Sequence, residues 1–160
     1  MSAAKSAKTL FSLKKILVAT DGSENANRAV EAASSLAKQN ASELIVVHVV
    51  SEALPVQYSP IGINTPAADY TDHFKTIELR GQKLVDQVVQ NVKGDSVNAR
   101  GEVLRTISST IEAIVEVSDN EHVDLIVVGT RGLGGFKKLL LGSVSSGIVS
   151  HAKCPVLVVR

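Results

Sequence analysis

The chain has 160 residues, the length of one domain, and its 44% hydrophobic and 21% charged residues are typical of a folded globular protein. Seventeen Lys and Arg oppose sixteen Asp and Glu, and the resulting net charge of +1 argues against a broadly basic surface for nucleic acid. Two Tyr, three Phe and no Trp offer few aromatic faces for base stacking, and the single Cys154 excludes an intramolecular disulfide. We therefore expect one domain that does not bind nucleic acid.

The first residues differ from the rest of the chain. Residues 1–13 contain Lys5 and Lys8 but no apolar segment of the kind found in a secretory signal. No apolar run in the chain approaches the roughly 18 residues that a membrane-spanning helix needs. The sequence therefore predicts a flexible tail over residues 1–13, one domain over residues 14–160, a cytoplasmic location and no membrane association.

The first third of the domain is expected to fold as strand, helix and strand. Residues 16–19 form a continuous apolar run, and residues 44–50 form another around His48. Both are rich in Val and Ile, which is typical of parallel strands buried on both faces. Between them, apolar residues recur at steps of three and four over residues 26–37 and predict a helix. Ser23 is a suitable N-cap for this helix, and the pattern stops at residues 39–40.

A long loop, a long helix and a weaker strand follow. Residues 51–66 contain three of the four prolines and predict an irregular flap. The apolar stripe of residues 68–92 predicts a second helix, for which Gly94 is the expected terminator. Residues 97–103 alternate apolar and polar side chains, a pattern that indicates a half-exposed edge strand.

The last third of the chain predicts two helices and two strands. The third helix follows Thr106 and is expected to bury four apolar side chains: Ile107, Ile111, Ile114 and Val115. Residues 125–128 and 156–159 are again continuous apolar runs and predict buried strands. Between them, a short helix over residues 143–151 is expected to turn two apolar side chains inward: Val144 and Ile148.

The order of these elements predicts the fold class. Alternating strands and helices favour an α/β fold, a single doubly wound, open parallel sheet of Rossmann-like type with helices on both faces. For five strands in the order 3-2-1-4-5, the strand order reverses between the first and fourth strands. Ligands bind at that position, beyond the carboxyl ends of the strands. The loops that begin at Thr20 and at Gly129 should therefore flank a crevice.

The second of these loops has the composition of an anion site. Four glycines lie within residues 129–135, and Gly142 precedes the last helix. Glycines let backbone N–H groups approach an anion closely, and the N-terminus of a helix carries partial positive charge. With Arg131, Lys137 and Lys138 nearby, this loop suits a triphosphate. The alternative interpretation is a flexible glycine-rich turn with ordinary surface cations. The sequence contains neither a P-loop motif nor a dinucleotide-binding fingerprint.

Asp21 lies in the first loop of the predicted crevice. Its carboxylate could accept hydrogen bonds from a nucleoside or hold a magnesium ion against phosphates. The Asp21-Gly22 pair could equally be a turn ahead of a helix, a common position for these residues. Both interpretations remain open from the sequence.

The glycines of the second loop have a particular spacing, Gly129-x2-Gly132-x9-Gly142-Ser143. This spacing resembles the ATP-binding signature of the universal stress protein family. The opening segment KILVATDGS at residues 15–23 and the closing segment CPVLVV at residues 154–159 are similar to the same family. The resemblance spans residues 14–160 and implies a stress-responsive, often dimeric protein that binds ATP, with magnesium as a further expectation.

The resemblance also implies which residues contact the nucleotide. Five would wrap the phosphates and ribose: Gly129, Gly132, Gly142, Ser143 and Val144. Three would line the side of the base: Asp21, Val49 and Val128. Ala19, Thr20 and Arg131 complete the expected crevice, and Ala19 stands where ATP-binding members often have Pro.

The residues and the resemblance together are most consistent with a nucleotide-dependent regulatory switch, whose nucleotide state is sensed by unidentified protein partners. No residue stands out as a base that orients water, so we expect slow ATP hydrolysis at most. One alternative is a nucleotide-free protein-interaction module of the same fold. Another is a nucleotidyl-transfer enzyme, although such enzymes usually place histidines in the first loop and residues 20–23 contain none. The apolar edge strand over residues 156–159 predicts a homodimer paired through that strand.

The histidines and the cysteine are expected to be structural. His48 lies within an apolar strand and is predicted to pack in the core, and His151 ends the last helix, where a cation favours the helix dipole. His73 and His122 are predicted to lie on the surface. Cys154 precedes a buried strand and is expected to be a packed thiol rather than a nucleophile.

Overall fold

The computed structural model describes residues 12–51, 67–133 and 141–160. Its elements, in chain order, are β1 (Lys15–Ala19), α1 (Glu24–Asn40), β2 (Glu43–Ser51), α2 (Ala67–Gly94), β3 (Ala99–Thr106), α3 (Thr110–Asn120), β4 (Leu125–Gly129), α4 (Ser143–His151) and β5 (Val156–Val159). The predicted tail over residues 1–13 and the predicted flap over residues 51–66 lie outside the described residues, except at 12, 13 and 51.

The five strands form one parallel sheet in the order β3-β2-β1-β4-β5, which confirms the predicted fold class. Successive residues of β1 face opposite sides. Ile16 and Val18 pack with α1 and α2 on one face, whereas Leu17 packs with α3 and α4 on the other. These three side chains are fully buried. The continuous apolar runs thus reflect a sheet that is covered on both faces.

Helix α1 follows the sequence prediction closely. The Ser23 side-chain oxygen accepts a hydrogen bond from the backbone N–H of Ala26 at 3.2 Å and caps the helix. The buried face consists mainly of alanines, which let the helix approach the sheet closely. The helix ends at Asn40, and Ala41 adopts a left-handed conformation with φ 53°.

Helix α2 ends near the predicted residue, but the residue that terminates it is a different one. Gly94 is the last helical residue, as expected, but the left-handed residue is Ser96, with φ 65°. The backbone N–H of Ser96 donates to the Lys93 carbonyl, and that of Val97 donates to the Val92 carbonyl. This is a Schellman motif, and burial of Val92 and Val97 holds it in place.

Helix α3 begins four residues after Thr106 rather than directly after it. The side-chain oxygen of Ser109 accepts from the backbone N–H of Glu112 at 3.4 Å and sets the start of the helix at Thr110. The prediction that Ile107 faces the core is therefore wrong, because this residue precedes the helix and its exposed fraction is 80%. Ile114 is buried, as predicted.

A network of ion pairs lies at the amino ends of the strands. Arg100 of β3 contacts Glu43 of β2 at 2.8 Å and Glu121, just after α3, at 2.8 Å. Lys15 of β1 contacts the same Glu121 oxygen at 2.9 Å. The hydrogen bond from Lys15 and the charge of Arg100 lower the pKa of the Glu121 carboxyl. This amino-end network, formed by Lys15, Glu43, Arg100 and Glu121, therefore connects three strands to α3.

Candidate functional site

The carboxyl ends of β1, β2 and β4 open into one cavity of about 670 Å³. The loop after β1, the glycine-rich loop after β4, and the first turns of α3 and α4 complete its walls. It lies where the strand order reverses, which is the position that the predicted topology gives. Its volume falls within the range of about 300–1,000 Å³ that is usual for small-molecule sites.

The structure brings eleven of the predicted site residues to the wall of this cavity. They are Ala19, Thr20, Asp21, Val49, Val128, Gly129, Arg131, Gly132, Gly142, Ser143 and Val144. It adds seven lining residues that the sequence did not assign to the site: Ala26, Val47, His48, Thr110, Ile114, Leu133 and Ser145. Thr110 and Ile114 belong to α3, which follows β3. Since helix N-termini and strand carboxyl ends share one edge of such a sheet, the topology could have indicated them.

Asp21 connects the two loops that flank the cavity. One carboxylate oxygen accepts from the backbone N–H of Ser23 at 3.0 Å and forms the turn ahead of α1. The other accepts from the backbone N–H of Leu133, in the glycine-rich loop, at 2.9 Å. Gly22 has φ 78°, a conformation that favours glycine. The turn interpretation of Asp21 is therefore confirmed, and the same side chain also spans the crevice.

Two glycines of the signature lie so close to neighbouring atoms that a side chain would not fit without a shift. A Cβ atom on Gly132 would overlap the Asp21 carboxylate, and one on Gly129 would lie 2.8 Å from the backbone carbonyl of Asn25 in α1. Gly142 has an ordinary φ of −72°, and a Cβ atom there would lie 3.2 Å from the Thr130 carbonyl. Packing against the α1 backbone therefore accounts for Gly129. A Cβ atom at Gly132 would displace the Asp21 carboxylate, and Gly142 is only moderately constrained.

Ser145 closes the base of the glycine-rich loop. Its hydroxyl donates to the Thr130 carbonyl at 3.0 Å, and the hydroxyl oxygen lies 3.2 Å from the Gly142 carbonyl. The backbone N–H of Gly142 donates to the same Thr130 carbonyl at 2.7 Å. Ser145 is buried, so these bonds are shielded from water. They hold the two ends of residues 131–141 together, a role that the sequence analysis did not identify.

The first turn of α4 faces the cavity. Gly142 is its N-cap residue, with no side-chain hydrogen bond to the helix, and the first turn contains no acidic residue. Val144 was predicted to face the core, and this is wrong. It is 39% exposed and contributes to the cavity wall, because α4 begins at the rim of the cavity. The uncapped backbone N–H groups and the helix dipole together favour an anion at this end.

Positive charge at the site comes from the glycine-rich loop. Arg131 is partly buried and borders the cavity. Arg131 also borders a second cavity, of about 260 Å³, together with Arg28 and Arg160. The predicted contribution of Lys137 and Lys138 falls outside the described residues.

The four histidines and Cys154 are placed as follows. His48 is partly buried, and its ring nitrogen Nδ1 lies 2.8 Å from the Thr20 carbonyl, so the ring both packs and borders the cavity. His151 is exposed, with Nδ1 2.8 Å from the Gly147 carbonyl, and His122 is exposed as predicted. Cys154 Sγ lies 3.5 Å from the Ser118 hydroxyl in a packed position. The side chain of His73 is outside the described part of the structure.

The described part of the chain contains neither a metal-binding cluster nor a membrane-spanning helix. Across residues 12–51, 67–133 and 141–160, no group of three or more His, Cys, Asp or Glu side chains is arranged to hold a metal ion. Within those ranges, every helix is too short or too polar to cross a membrane. The cavity at the carboxyl ends of the strands is therefore the principal candidate site.

The chain is similar in sequence and in fold to known proteins of one family. The model of the universal stress protein family matches residues 12–160. The universal stress protein YxiE of Bacillus subtilis is 34% identical over 147 residues, which cover 91% of this chain and 98% of that protein. The structure of universal stress protein UspA from Lactobacillus plantarum has a TM-score of 0.78 at 26% identity, covering 92% of this chain and 98% of that one.

Two solved structures of lower identity contain nucleotides. A universal stress protein in complex with cAMP has a TM-score of 0.62 at 24% identity, covering 92% of this chain and 96% of that one. A universal stress protein from Archaeoglobus fulgidus in complex with dAMP has a TM-score of 0.63 at 20% identity, covering 94% and 100%. At these identities the likeness to this chain concerns the fold.

Proposed function

The chain belongs to the universal stress protein family of stress-response proteins, and from that premise we propose that it is an ATP-dependent regulatory switch. ATP binds in the cavity between the loops after β1 and β4. The observation that carries the proposal is that the uncapped N-terminus of α4 and an apolar strand end share one cavity. Such a site matches a ligand with an anionic end and a flat apolar end.

The anionic end of the ligand is expected to lie at α4. There the first-turn N–H groups, the Ser143 hydroxyl and the partly buried Arg131 border the cavity. Phosphates bind well at helix N-termini because both the N–H groups and the dipole favour negative charge. The phosphates of ATP would therefore lie against residues 142–144.

The base end is expected to lie at the opposite wall. Ala19, Val49 and Val128, at the ends of three neighbouring strands, supply apolar surface beside the polar loop at Thr20. An adenine ring gains from the removal of such surface from water. The cAMP and dAMP complexes of the two structural neighbours support an adenine nucleotide. The choice of ATP among these nucleotides rests on the glycine signature of this chain.

Magnesium is proposed to accompany the ATP phosphates. Mg²⁺ is commonly held by one or two carboxylates together with phosphate oxygens and water, so a single acidic side chain suffices. Among the described lining residues, Asp21 is the only acidic one. Both its oxygens accept backbone N–H bonds, but each retains a lone pair for a metal ion. Bound magnesium would neutralise phosphate charge, and Asp21 is the residue that would hold it.

Hydrolysis is proposed to be slow at most. An efficient ATPase needs a group that orients the attacking water. Asp21 is already engaged with Ser23 and Leu133, and His48 is engaged with Thr20. A bound nucleotide would therefore persist long enough for cytoplasmic protein partners to sense it.

One observation is equally compatible with the nucleotide-free interaction module. Gly129 and Gly132 are needed for contacts within the protein, so their presence does not by itself require a ligand. Calorimetric titration of nucleotide-free protein separates the two functions. We expect saturable binding of ATP with magnesium, and weaker binding of GTP and of inorganic triphosphate at equal concentration. Absence of ATP binding would favour the interaction module. Equal affinity for GTP and ATP would show that the site is not specific for adenine.

The protein is further proposed to be a homodimer paired through β5. This strand lies at the edge of the sheet, and Leu157 is 37% exposed there. An open apolar edge invites antiparallel pairing with a second copy. Sedimentation at micromolar protein should show a dimer, and Leu157→Lys should shift it toward monomer. Leu79→Lys, at an exposed position of α2, is the matched control and should leave the dimer intact. A monomeric wild type would refute the pairing.

A further inference from the structure

His48 occupies a position that joins the wall of the cavity to the loop after β1. Its Nδ1 atom lies 2.8 Å from the Thr20 carbonyl oxygen. A carbonyl oxygen can only accept a hydrogen bond, so Nδ1 must carry the hydrogen and donate it. The tautomer of the ring is thereby fixed by the contact with Thr20.

Thr20 is held at each of its polar groups. Its backbone N–H donates to the Val47 carbonyl at 2.8 Å, and its hydroxyl accepts from the backbone N–H of Gly22 at 3.2 Å. His48 engages the remaining carbonyl. Because the peptide group is planar, fixing the Thr20 carbonyl also fixes the orientation of the following N–H, that of Asp21.

The contact extends across the crevice through Asp21. The Asp21 carboxylate accepts from the backbone N–H of Leu133 in the glycine-rich loop at 2.9 Å. His48, Thr20, Asp21 and Leu133 therefore form a continuous chain of contacts from β2 to the glycine-rich loop. The ring of His48 is thus connected, through Thr20, to the carboxylate that holds this loop.

The ring itself is held from behind by α2. A Cβ atom on Gly81 would lie 2.7 Å from Cδ2 and 3.3 Å from Nε2 of His48. Gly81 is buried and does not border the cavity. The absence of a side chain at Gly81 is what leaves space for the ring in its bonded position.

We propose that His48 is a positioning residue of the nucleotide site, acting through Thr20 and Asp21, and that Gly81 is required because it seats the His48 ring. This inference rests on the proposed ATP binding. His48 does not contact the phosphates in this arrangement. It sets the geometry of the two loops that meet the nucleotide, and α2 thereby gains an influence on affinity from outside the cavity.

The test compares two nearly isosteric replacements in calorimetric titrations with ATP and magnesium. His48→Asn can keep an N–H donor near the position of Nδ1, whereas His48→Leu puts a methyl group there. Loss of one hydrogen bond is expected to raise the Kd for His48→Leu roughly two- to tenfold, while His48→Asn stays close to wild type. Equal Kd values for His48→Leu and wild type would overturn the proposal, and so would equal weakening in both variants.

Gly81→Ala provides an independent test from outside the cavity. Its methyl group displaces the ring, so its Kd should rise as much as that of His48→Leu. In the double variant with His48→Leu, Gly81→Ala should add nothing, because the ring through which it acts is gone. An additive effect would mean that α2 acts by another route and would overturn the role of Gly81. Gly94→Ala, on the same helix with open space around it, is the matched control.

A measurement on the wild type covers the case in which His48→Leu does not fold. The ¹⁵N chemical shifts of the ring should report a protonated Nδ1 at neutral pH, and an unprotonated Nδ1 would overturn the proposal. If wild-type protein binds no ATP, the proposed function and this inference fail together. If it binds ATP and His48→Leu binds equally well, only the role of His48 fails.

Discussion

The two ends of the sheet are built in different ways. At the amino ends of the strands, side chains of opposite charge meet in the amino-end network of Lys15, Glu43, Arg100 and Glu121. Nearby, the carboxylate of Asp124 accepts the backbone N–H groups of residues 14 and 15 at 2.7 and 2.9 Å. Charges and backbone donors at this end are therefore matched within the protein.

The carboxyl ends of the strands show the opposite arrangement. There the contacts are made mainly by backbone groups, glycines and one bridging carboxylate, Asp21. They surround a cavity of about 670 Å³ and leave the first turn of α4 without a side-chain cap. The difference indicates a division of roles in one sheet. The amino end contributes to holding the strands together, while the carboxyl end leaves the first turn of α4 uncapped beside the cavity.

Among variants at the two ends of the sheet, Gly129→Ala is expected to cause the largest loss of stability. Its methyl group would lie within 3.0 Å of the backbone of Asn25 and Ala26, which cannot move without displacing α1. Overpacking of this kind costs about 1–3 kcal/mol. At ~2–4 °C per kcal/mol for a domain of this size, the melting temperature should fall by several degrees. Gly94→Ala is the control with open space and should melt close to wild type. Unchanged melting of Gly129→Ala would show that the contact between Gly129 and α1 is not tight.

A smaller loss is expected from Ser145→Ala. The variant removes the hydroxyl that ties Thr130 to the start of α4, but the Thr130 carbonyl keeps the backbone N–H of Gly142. The unfolding free energy should fall by about 1 kcal/mol, the usual worth of such a bond. Ser150→Ala, an exposed position of the same helix, should change it by less than about 0.5 kcal/mol. Equal denaturant midpoints for both variants would exclude a special role for Ser145.

The smallest effect is expected at the amino end, from Glu121→Gln. In the folded protein Lys15 and Arg100 lower the pKa of the Glu121 carboxyl. A carboxyl of this kind adds stability above its unfolded pKa, about 4.3 for Glu, and loses it as the pH falls through the folded pKa. The Glu121→Gln variant should melt only slightly below wild type at pH 7. The Lys15–Glu121 ion pair is partly exposed, and ion pairs of this kind contribute little to stability. The difference should disappear in acid. A difference that persists below the folded pKa would mean that charge is not its cause.

The sequence predicted the elements that depend on local patterns. Strand Val156–Val159 and helix Ser143–His151 have the predicted bounds, and Ser23 caps α1 as expected. Apolar runs and caps are local signals, so one stretch of chain suffices to interpret them. Ile107 was misassigned because the Ser109 cap, two residues later, decides where α3 begins.

The contacts of the site were less accessible from the sequence. The cavity wall was predicted because strand order determines which loops meet. The bond from Leu133 to Asp21 and the closure of the loop by Ser145 join residues far apart or on different elements. Such contacts depend on how the elements pack, and no residue spacing encodes them. The glycine spacing likewise could not show that Gly132 is packed tightly against Asp21, whereas Gly142 is only moderately constrained.

Thermal melting with and without ATP and magnesium tests most directly whether the carboxyl end of the sheet binds a nucleotide. At a hundred times its Kd, a ligand adds about 2.7 kcal/mol to the stability of the folded protein. Nucleotide-free wild type should therefore melt roughly 5–10 °C higher with ATP, at ~2–4 °C per kcal/mol. Gly142→Val should lose most of this shift, because its side chain fills the space at the start of α4. No shift in wild type, or an equal shift in folded Gly142→Val, would contradict the account.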